Sequence, residues 1–173
     1  MQKTRFALIG CGAVSENFYL PVLAARKDCV ITHLVDKDIQ RAAVLEKKHR
    51  LNSVVLSDYH ELRGDIDYAI IALPHFLHLD AIEHLYKNNV SVVCEKPITI
   101  SFKEAERVKE LALSNRNWKF HAAFVRDFFP QNQFICETVK TGSYGKLLSA
   151  DIEEGFRYDW PAQSDFFFTK KGS

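Results

Sequence analysis

The chain has 173 residues and a mass of 19.9 kDa, with 23 Lys plus Arg against 22 Asp plus Glu and a formal net charge of +1. That balance excludes a nucleic-acid binder working by bulk charge, which needs a basic excess to neutralise phosphates. A hydrophobic fraction of 47% with 26% charged residues is too apolar for a disordered chain and fits one globular domain, or one plus a fragment.

Short β-like runs alternate with helical segments. Residues 5–9 are apolar after their first position and end at Gly10; residues 30–35 form a second run ending at Asp36. Ile39, Ala42, Ala43 and Glu46 then sit at helical spacing. The basic run from Lys47 to Arg50 reads as a solvated helix end, where cations favour the helix dipole, and not as a nucleic-acid contact. Residues 68–73 make a third strand ending at Pro74, and Leu79, Ala81, Ile82 and Leu85 an amphipathic helix after it. Residues 90–94 make a fourth strand before Glu95, Lys96 and Pro97. Ser101 and Glu104 form a capping-box pattern, continued at helical spacing by Ala105, Val108, Leu111 and Ala112. Near-continuous apolar strands separated by helices predict an α/β fold whose parallel sheet is covered on both faces.

Composition shifts after residue 122. Eight of the 13 phenylalanines lie in residues 123–173, and Leu148, Ala150, Ile152, Phe156, Tyr158 and Trp160 alternate with mostly polar residues. That alternation predicts a half-buried strand needing partners. Residues 123–173 therefore read as the opening of a second, incomplete domain, and residues 1–122 as the first. With Phe166, Phe167 and Phe168, these side chains predict self-association.

The longest apolar run, residues 68–74, is far shorter than the roughly 20 residues of a membrane-spanning helix, so no membrane is expected. Residues 6–9 are too short for the apolar part of a signal peptide. Cys11, Cys29, Cys94 and Cys136 form no Cys-x-x-Cys pair. They read as reduced, mostly buried thiols of a cytoplasmic protein.

Gly10, Cys11, Gly12, Ala13, Val14 and Ser15 follow the first strand directly. In a dinucleotide-binding loop the first glycine allows a tight turn and the second lets the backbone approach a pyrophosphate. The third position is normally glycine or alanine, for close helix–strand packing, so Ser15 is a departure. The helix that follows offers its N–H groups to phosphates. An ordinary strand–helix turn has the same short pattern. Context favours the dinucleotide, because Asp36 ends the second strand at the expected offset of about 20 residues, where a carboxylate hydrogen-bonds the adenosine ribose. The same charge repels a 2′-phosphate and favours NAD over NADP, while Lys37 pulls the other way. Glu95, Lys96 and Pro97 fall at the carboxyl end of a strand, where ligands of open α/β sheets sit. A lysine there can donate a proton or hydrogen bond to a substrate oxygen, although the same three residues also fit a surface salt bridge.

Taken together, residues 10–21 (GCGAVSENFYLP), 72–78 (ALPHFLH), 92–97 (VVCEKP) and 154–161 (EGFRYDWP) resemble the glucose–fructose oxidoreductase / inositol dehydrogenase / MocA family. The resemblance implies a Rossmann-type doubly wound sheet, an α/β C-terminal domain, and NAD(P)-dependent oxidation or reduction of a sugar, polyol or related hydroxyl compound. By that likeness Lys96 is the catalytic lysine, and the loop from Gly10 through Cys11, Gly12, Ala13 and Val14, with Asp36 and Lys37, faces the adenosine and pyrophosphate. Leu73, Pro74, His75 and His78 line the cofactor groove and Glu95 sits near the nicotinamide ribose. The family continues into a complete second domain with an Asp-x-Gly-x-x-His element supplying a catalytic histidine; no segment here matches it. The expectation is therefore a shortened form with weak or no turnover, associating through its C-terminal segment. The competing reading is a nucleotide-binding module without turnover: a cofactor sensor, regulator or partner subunit.

His75 and His78 invite a metal with His60 or His84, but no carboxylate or cysteine completes a ligand set at familiar spacing, so no metal is expected. Cys94 lies within an apolar strand and reads as an inert core thiol.

Overall fold

The computed structural model describes residues 2–153, 155 and 157. Up to Ala123 the chain forms one compact unit, and a second begins at Phe124. The first unit holds a sheet of β1 (Thr4–Ile9), β2 (Cys29–Val35), β3 (Val54–Leu56), β4 (Tyr68–Ile71), β5 (Ser91–Cys94) and β6 (Phe120–Ala122). All neighbours pair parallel, in the order β3-β2-β1-β4-β5-β6. This is the doubly wound Rossmann order, reversing direction between β1 and β4.

Side-chain alternation explains the continuous apolar runs. Ala7 and Ile9 of β1 and Ala69 and Ile71 of β4 face one core with Ala81, Ile82, Leu85, Val108 and Leu111. Those partners lie on α3 (His78–Lys87) and α4 (Phe102–Ser114). Leu8 and Ile70 face the other core with Leu20, Ala42 and Leu45, from α1 (Leu20–Ala25) and α2 (Ile39–His49). Both faces of β1 and β4 are buried, which makes their runs near-continuously apolar. A six-residue helix such as α1 is far below the length that is stable alone. Fully buried Leu20 anchors it, a side chain whose burial contributes roughly 1.5–3 kcal/mol.

One irregularity positions the site. The β1–β2 register slips between Phe6 and Ala7, passing over Thr32, whose hydroxyl donates to the Phe6 carbonyl at 3.2 Å. The slip sets Val35 opposite Ile9, so Asp36 emerges beside Gly10.

Several elements differ from the sequence expectation. The three-residue edge strands β3 and β6 are too short to show a period; pairing with β2 and β5 defines them. The helix after the glycine loop contains a π-helical stretch, Ser15–Tyr19. Ser101 caps α4 by accepting from the Glu104 N–H, but the Glu104 carboxylate accepts from the Ile100 N–H rather than from that of Ser101. The alternating segment is not a strand at Leu148, Ala150 or Ile152, which are exposed and irregular. No neighbouring strand among the described residues completes a ladder there. Phe156, Tyr158, Trp160 and Phe166 to Phe168 lie outside the described residues.

The second unit contains a 3-10 turn, Val125–Phe128, and α5 (Pro130–Thr141). Pro130 opens the helix and left-handed Gly142 closes it, the usual N-terminal proline and C-terminal glycine pairing. Asn132 and Gln133 donate side-chain hydrogen bonds back to the Arg126 and Asp127 carbonyls. No residue of α5 is buried; Phe134, Ile135 and Val139 are exposed.

Candidate functional site

Because the six strands run the same way, the residues that follow them share one edge. The first residue past a strand extends the ladder. Gly10 N–H donates to the Val35 carbonyl (2.7 Å), Asp36 N–H to Leu56 (3.1 Å), Ala72 N–H to Ile9 (2.8 Å) and Glu95 N–H to Ile71 (2.9 Å). These bonds set Gly10, Asp36, Ala72 and Glu95 in one row along the carboxyl edge. The topological switch between β1 and β4 opens there, which is where open α/β sheets form their ligand crevice.

The two glycines of the loop are glycine for different reasons. Gly10 has φ +94°, and a Cβ there would lie 2.3 Å from the Ala72 carbonyl oxygen; β1 and the end of β4 are simply too close for a side chain. A Cβ on Gly12 would meet nothing within 4 Å, and Gly12 lies outside the left-handed region. Folding alone does not require glycine at this position. The open space over its backbone fits a pyrophosphate. The chain turns helical at Ala13 and Val14, and Glu16 N–H donates to the Gly12 carbonyl at 3.0 Å. Ser15 is fully buried and its hydroxyl donates to the Gly10 carbonyl. The departure from glycine at the third position is thus used to close the loop.

Cys11 is buried, and burial pushes its thiol up to about 12, with the Asp36 charge adding to the effect. Its contribution to the edge is its backbone N–H, which donates to Asp36 Oδ2 at 2.8 Å. The other Asp36 oxygen accepts the Asp38 N–H at 2.9 Å. Asp36 is only 7% exposed, yet a carboxylate has about four lone-pair positions, so acceptor capacity remains for ribose hydroxyls. Lys37 is exposed beside it. Arg41, which sequence reasoning missed, comes within 3.8 Å of Asp36 and 3.5 Å of Asp38. The signal for it was a basic residue three positions after the Asp38 cap of α2.

At the ends of β4 and β5, Leu73, Pro74 and His75 are half-buried, and His75 opens a 3-10 turn, His75–Leu77. His78, expected to line the groove, is buried at 1% exposure. Its Nε2 lies 2.9 Å from the Leu73 carbonyl, and its Nδ1 lies 3.0 Å from the Pro97 and 3.3 Å from the Ile98 carbonyl. His78 clamps the segment after β4 to the segment after β5. Burial holds the ring below the usual imidazole range, outweighing the carbonyls that favour its protonation. Among the described residues no group of three or more potential ligands clusters as a metal site.

Glu95 is half-buried and Lys96 is exposed at the same turn, whose Lys96–Pro97 peptide is cis. Glu95 Oε2 accepts the Lys96 backbone N–H at 3.2 Å, and Oε1 accepts the Tyr19 hydroxyl at 2.7 Å. Tyr19 was also missed, since no local pattern links residues 76 positions apart. The neighbouring Cys94 thiol is pushed up to about 12 by burial and then by the Glu95 charge, as an inert core thiol requires.

The family model described as an oxidoreductase family with an NAD-binding Rossmann fold matches residues 4–123. The chain is 27% identical over 143 residues to inositol 2-dehydrogenase of Renibacterium salmoninarum, covering 82% of this chain and 43% of that protein. Among the solved structures that resemble it are two with bound cofactor. Scyllo-inositol dehydrogenase from Lactobacillus casei, with bound NAD(H) and scyllo-inositol, superposes with a TM-score of 0.76 at 20% identity. It covers 83% of this chain and 43% of that one, and at this identity the likeness concerns the fold alone. KijD10, a 3-ketoreductase from Actinomadura kijaniata in complex with NADP, gives a TM-score of 0.71 at 25% identity, covering 83% and 46%. The chain therefore spans somewhat less than half the length of these relatives.

Proposed function

Because the chain belongs to the Gfo/Idh/MocA family of oxidoreductases, with its NAD-binding Rossmann fold over residues 4–123, we propose that its carboxyl edge binds NAD(H) for oxidation or reduction of a polyol or sugar hydroxyl. The observation that supports this best is the convergence of Gly12, Asp36 and the Glu95–Lys96 turn on one sheet edge at the switch point. The inositol dehydrogenase relatives support the substrate class.

In this reading the open backbone at Gly12 and the helix beginning at Ala13 receive the pyrophosphate. Asp36 accepts from the adenosine ribose. Leu73, Pro74 and His75 border the groove, and His78 acts behind them as a clamp. Bound NAD+ supplies the hydride acceptor, and NADH the donor. The Lys96 amine meets the substrate oxygen and exchanges the proton that accompanies the redox change. NAD is preferred over NADP on magnitude. Two like charges about 4 Å apart repel by about 4 kcal/mol at an effective dielectric of 20, whereas an exposed lysine such as Lys37 returns only about 0–1 kcal/mol to a phosphate. Arg41 is already engaged with Asp36 and Asp38. The exposed apolar side chains of α5 support self-association through the C-terminal segment, which light scattering tests.

The test is a thermal-shift and fluorescence titration with NADH and NADPH, beside an absorbance assay at 340 nm over inositols and sugars. NADH should stabilise the chain and bind more tightly than NADPH. Lys96→Ala should leave NADH affinity within about threefold and lower turnover by about 10²–10⁴-fold. Failure of NADH to shift the melting temperature overturns the proposal. Binding without turnover of any panel member is the result expected of a shortened form and of the non-catalytic module alike.

A further inference from the structure

Tyr19 sits at the end of the π-helical stretch Ser15–Tyr19, where the Leu20 N–H reaches back five residues to the Ser15 carbonyl. A π-turn widens a helix by one residue and is frequent at functional sites. Here it separates two neighbours. Leu20 is buried in the core under the sheet, while Tyr19 stays half-buried and its hydroxyl reaches Glu95 at the carboxyl end of β5.

The two oxygens of the Glu95 carboxylate therefore have different partners. Oε1 is held by Tyr19, from the helix that leaves the glycine loop, and Oε2 by the backbone N–H of Lys96. The phenol is the donor: burial first, and then its hydrogen bond to Glu95, keep it protonated far above the ordinary tyrosine range. A donor to a carboxylate is the stronger kind of hydrogen bond. This one fixes the rotamer of the side chain that leads into the lysine turn. Without it, the Glu95 carboxylate keeps, among the described residues, only the N–H of its own neighbour, and the turn is tied elsewhere through the Glu95 N–H bond to Ile71 and the His78 clamp, neither of which reaches the helix after the glycine loop.

We propose that Tyr19 is a positioning residue for the nicotinamide half of the site, acting through Glu95 to hold the Lys96 turn in register with the helix that follows the glycine loop. The proposal rests on the cofactor reading above and adds a residue to it. It predicts an effect confined to one half of the ligand. The adenosine end is built from Gly12, Asp36 and the loop N–H groups, none of which uses Tyr19. The nicotinamide end uses the Glu95–Lys96 turn.

The experiment measures the affinity of the full chain for NADH and for ADP-ribose, which lacks the nicotinamide. Tyr19→Phe, which keeps the ring, should weaken NADH by about three- to tenfold, the usual effect of losing a hydrogen bond to a charged group. ADP-ribose affinity should stay within about twofold, the size of effect expected for a site that shares no partner with the change. Glu95→Gln should behave in the same way. The double variant should be no weaker than the worse single one, because both changes break one linkage. Equal weakening of both ligands marks a purely structural role and overturns the proposal. So does an unchanged NADH affinity, or additive losses in the double variant. If the unmodified chain binds neither ligand, the cofactor reading itself fails; if it binds ADP-ribose but the variants show no selective loss, only the role of Tyr19 fails.

Discussion

At the amino edge of the sheet Arg5 faces two aspartates. Its guanidinium pairs with Asp65 at 2.7 Å and Asp67 at 2.8 Å, its backbone N–H donates to Asp67, and the Asp67 N–H returns a bond to the Arg5 carbonyl. Charge meets charge, and β1 is tied to the start of β4. At the carboxyl edge the carboxylates of Asp36 and Glu95 are held by backbone N–H groups and a phenol, with Arg41 near Asp36 at a longer distance. Lys37 and Lys96 are exposed there. One edge spends its polar groups on the fold; the other keeps lone pairs and amines facing outward. The same six strands thus carry a closed end and an open end, and polarity alone does not tell them apart. The kind of partner does.

The largest expected effect separates the two glycines of the open edge. Gly10→Ala drives a Cβ into the backbone of Ala72 at a positive φ, and should cost about 3 kcal/mol or more in urea unfolding. Gly12→Ala meets open space and should change stability by no more than about 0.5 kcal/mol, while weakening NADH. If both variants destabilise equally, the space over Gly12 is not a ligand's.

A pH series sharpens the comparison next. Burial lowers the His78 pKa in the folded chain, against the pull of the carbonyls at both ring nitrogens, whereas the unfolded chain takes up its proton near pH 6.5. The folded state therefore binds fewer protons below that pH, and the melting temperature should fall between about pH 7 and 5.5. His33 and His84, also lowered by burial, add to the slope. His78→Gln should flatten it; an unchanged slope would deny the clamp.

The smallest effect belongs to the closed edge. Asp67 is held below the usual carboxylate range by its hydrogen bonds from the Arg5 side chain and backbone. Its contribution is present above the unfolded carboxylate pKa of about 3.9 and is lost as pH falls through the lower folded value. Asp67→Asn should lower the melting temperature slightly at pH 7, as for a solvent-screened pair, remove part of the acid limb, and leave NADH affinity unchanged. A changed NADH affinity would break the division between the edges.

Much of this edge was legible in the residues. The central strands β1 and β4 announce themselves because both of their faces are buried, which makes residues 5–9 and 68–71 near-continuously apolar. Gly10, Asp36 and Lys96 are legible because the punctuation at the end of a parallel strand falls where the ligand edge must be. The helix α5 was not read, although Pro130 and Gly142 bracket it, because the alternation that begins at Leu148 drew the reading instead, where the described residues are not a strand.

Sequence alone determined the α/β class, the direction of the sheet and the edge on which the chemistry-bearing residues gather, since hydrophobic period and strand-end residues are local properties of the chain. Tertiary structure alone decided that β3 and β6 exist, that Gly10 yields to Ala72 while Gly12 yields to nothing, that Ser15 closes its loop, and that His78 is a buried clamp. It alone joined Tyr19 to Glu95. The approach of Gly10 to Ala72 and the contact of Tyr19 with Glu95 across 76 positions join distant parts of the chain, and such contacts leave no trace in the spacing of neighbours.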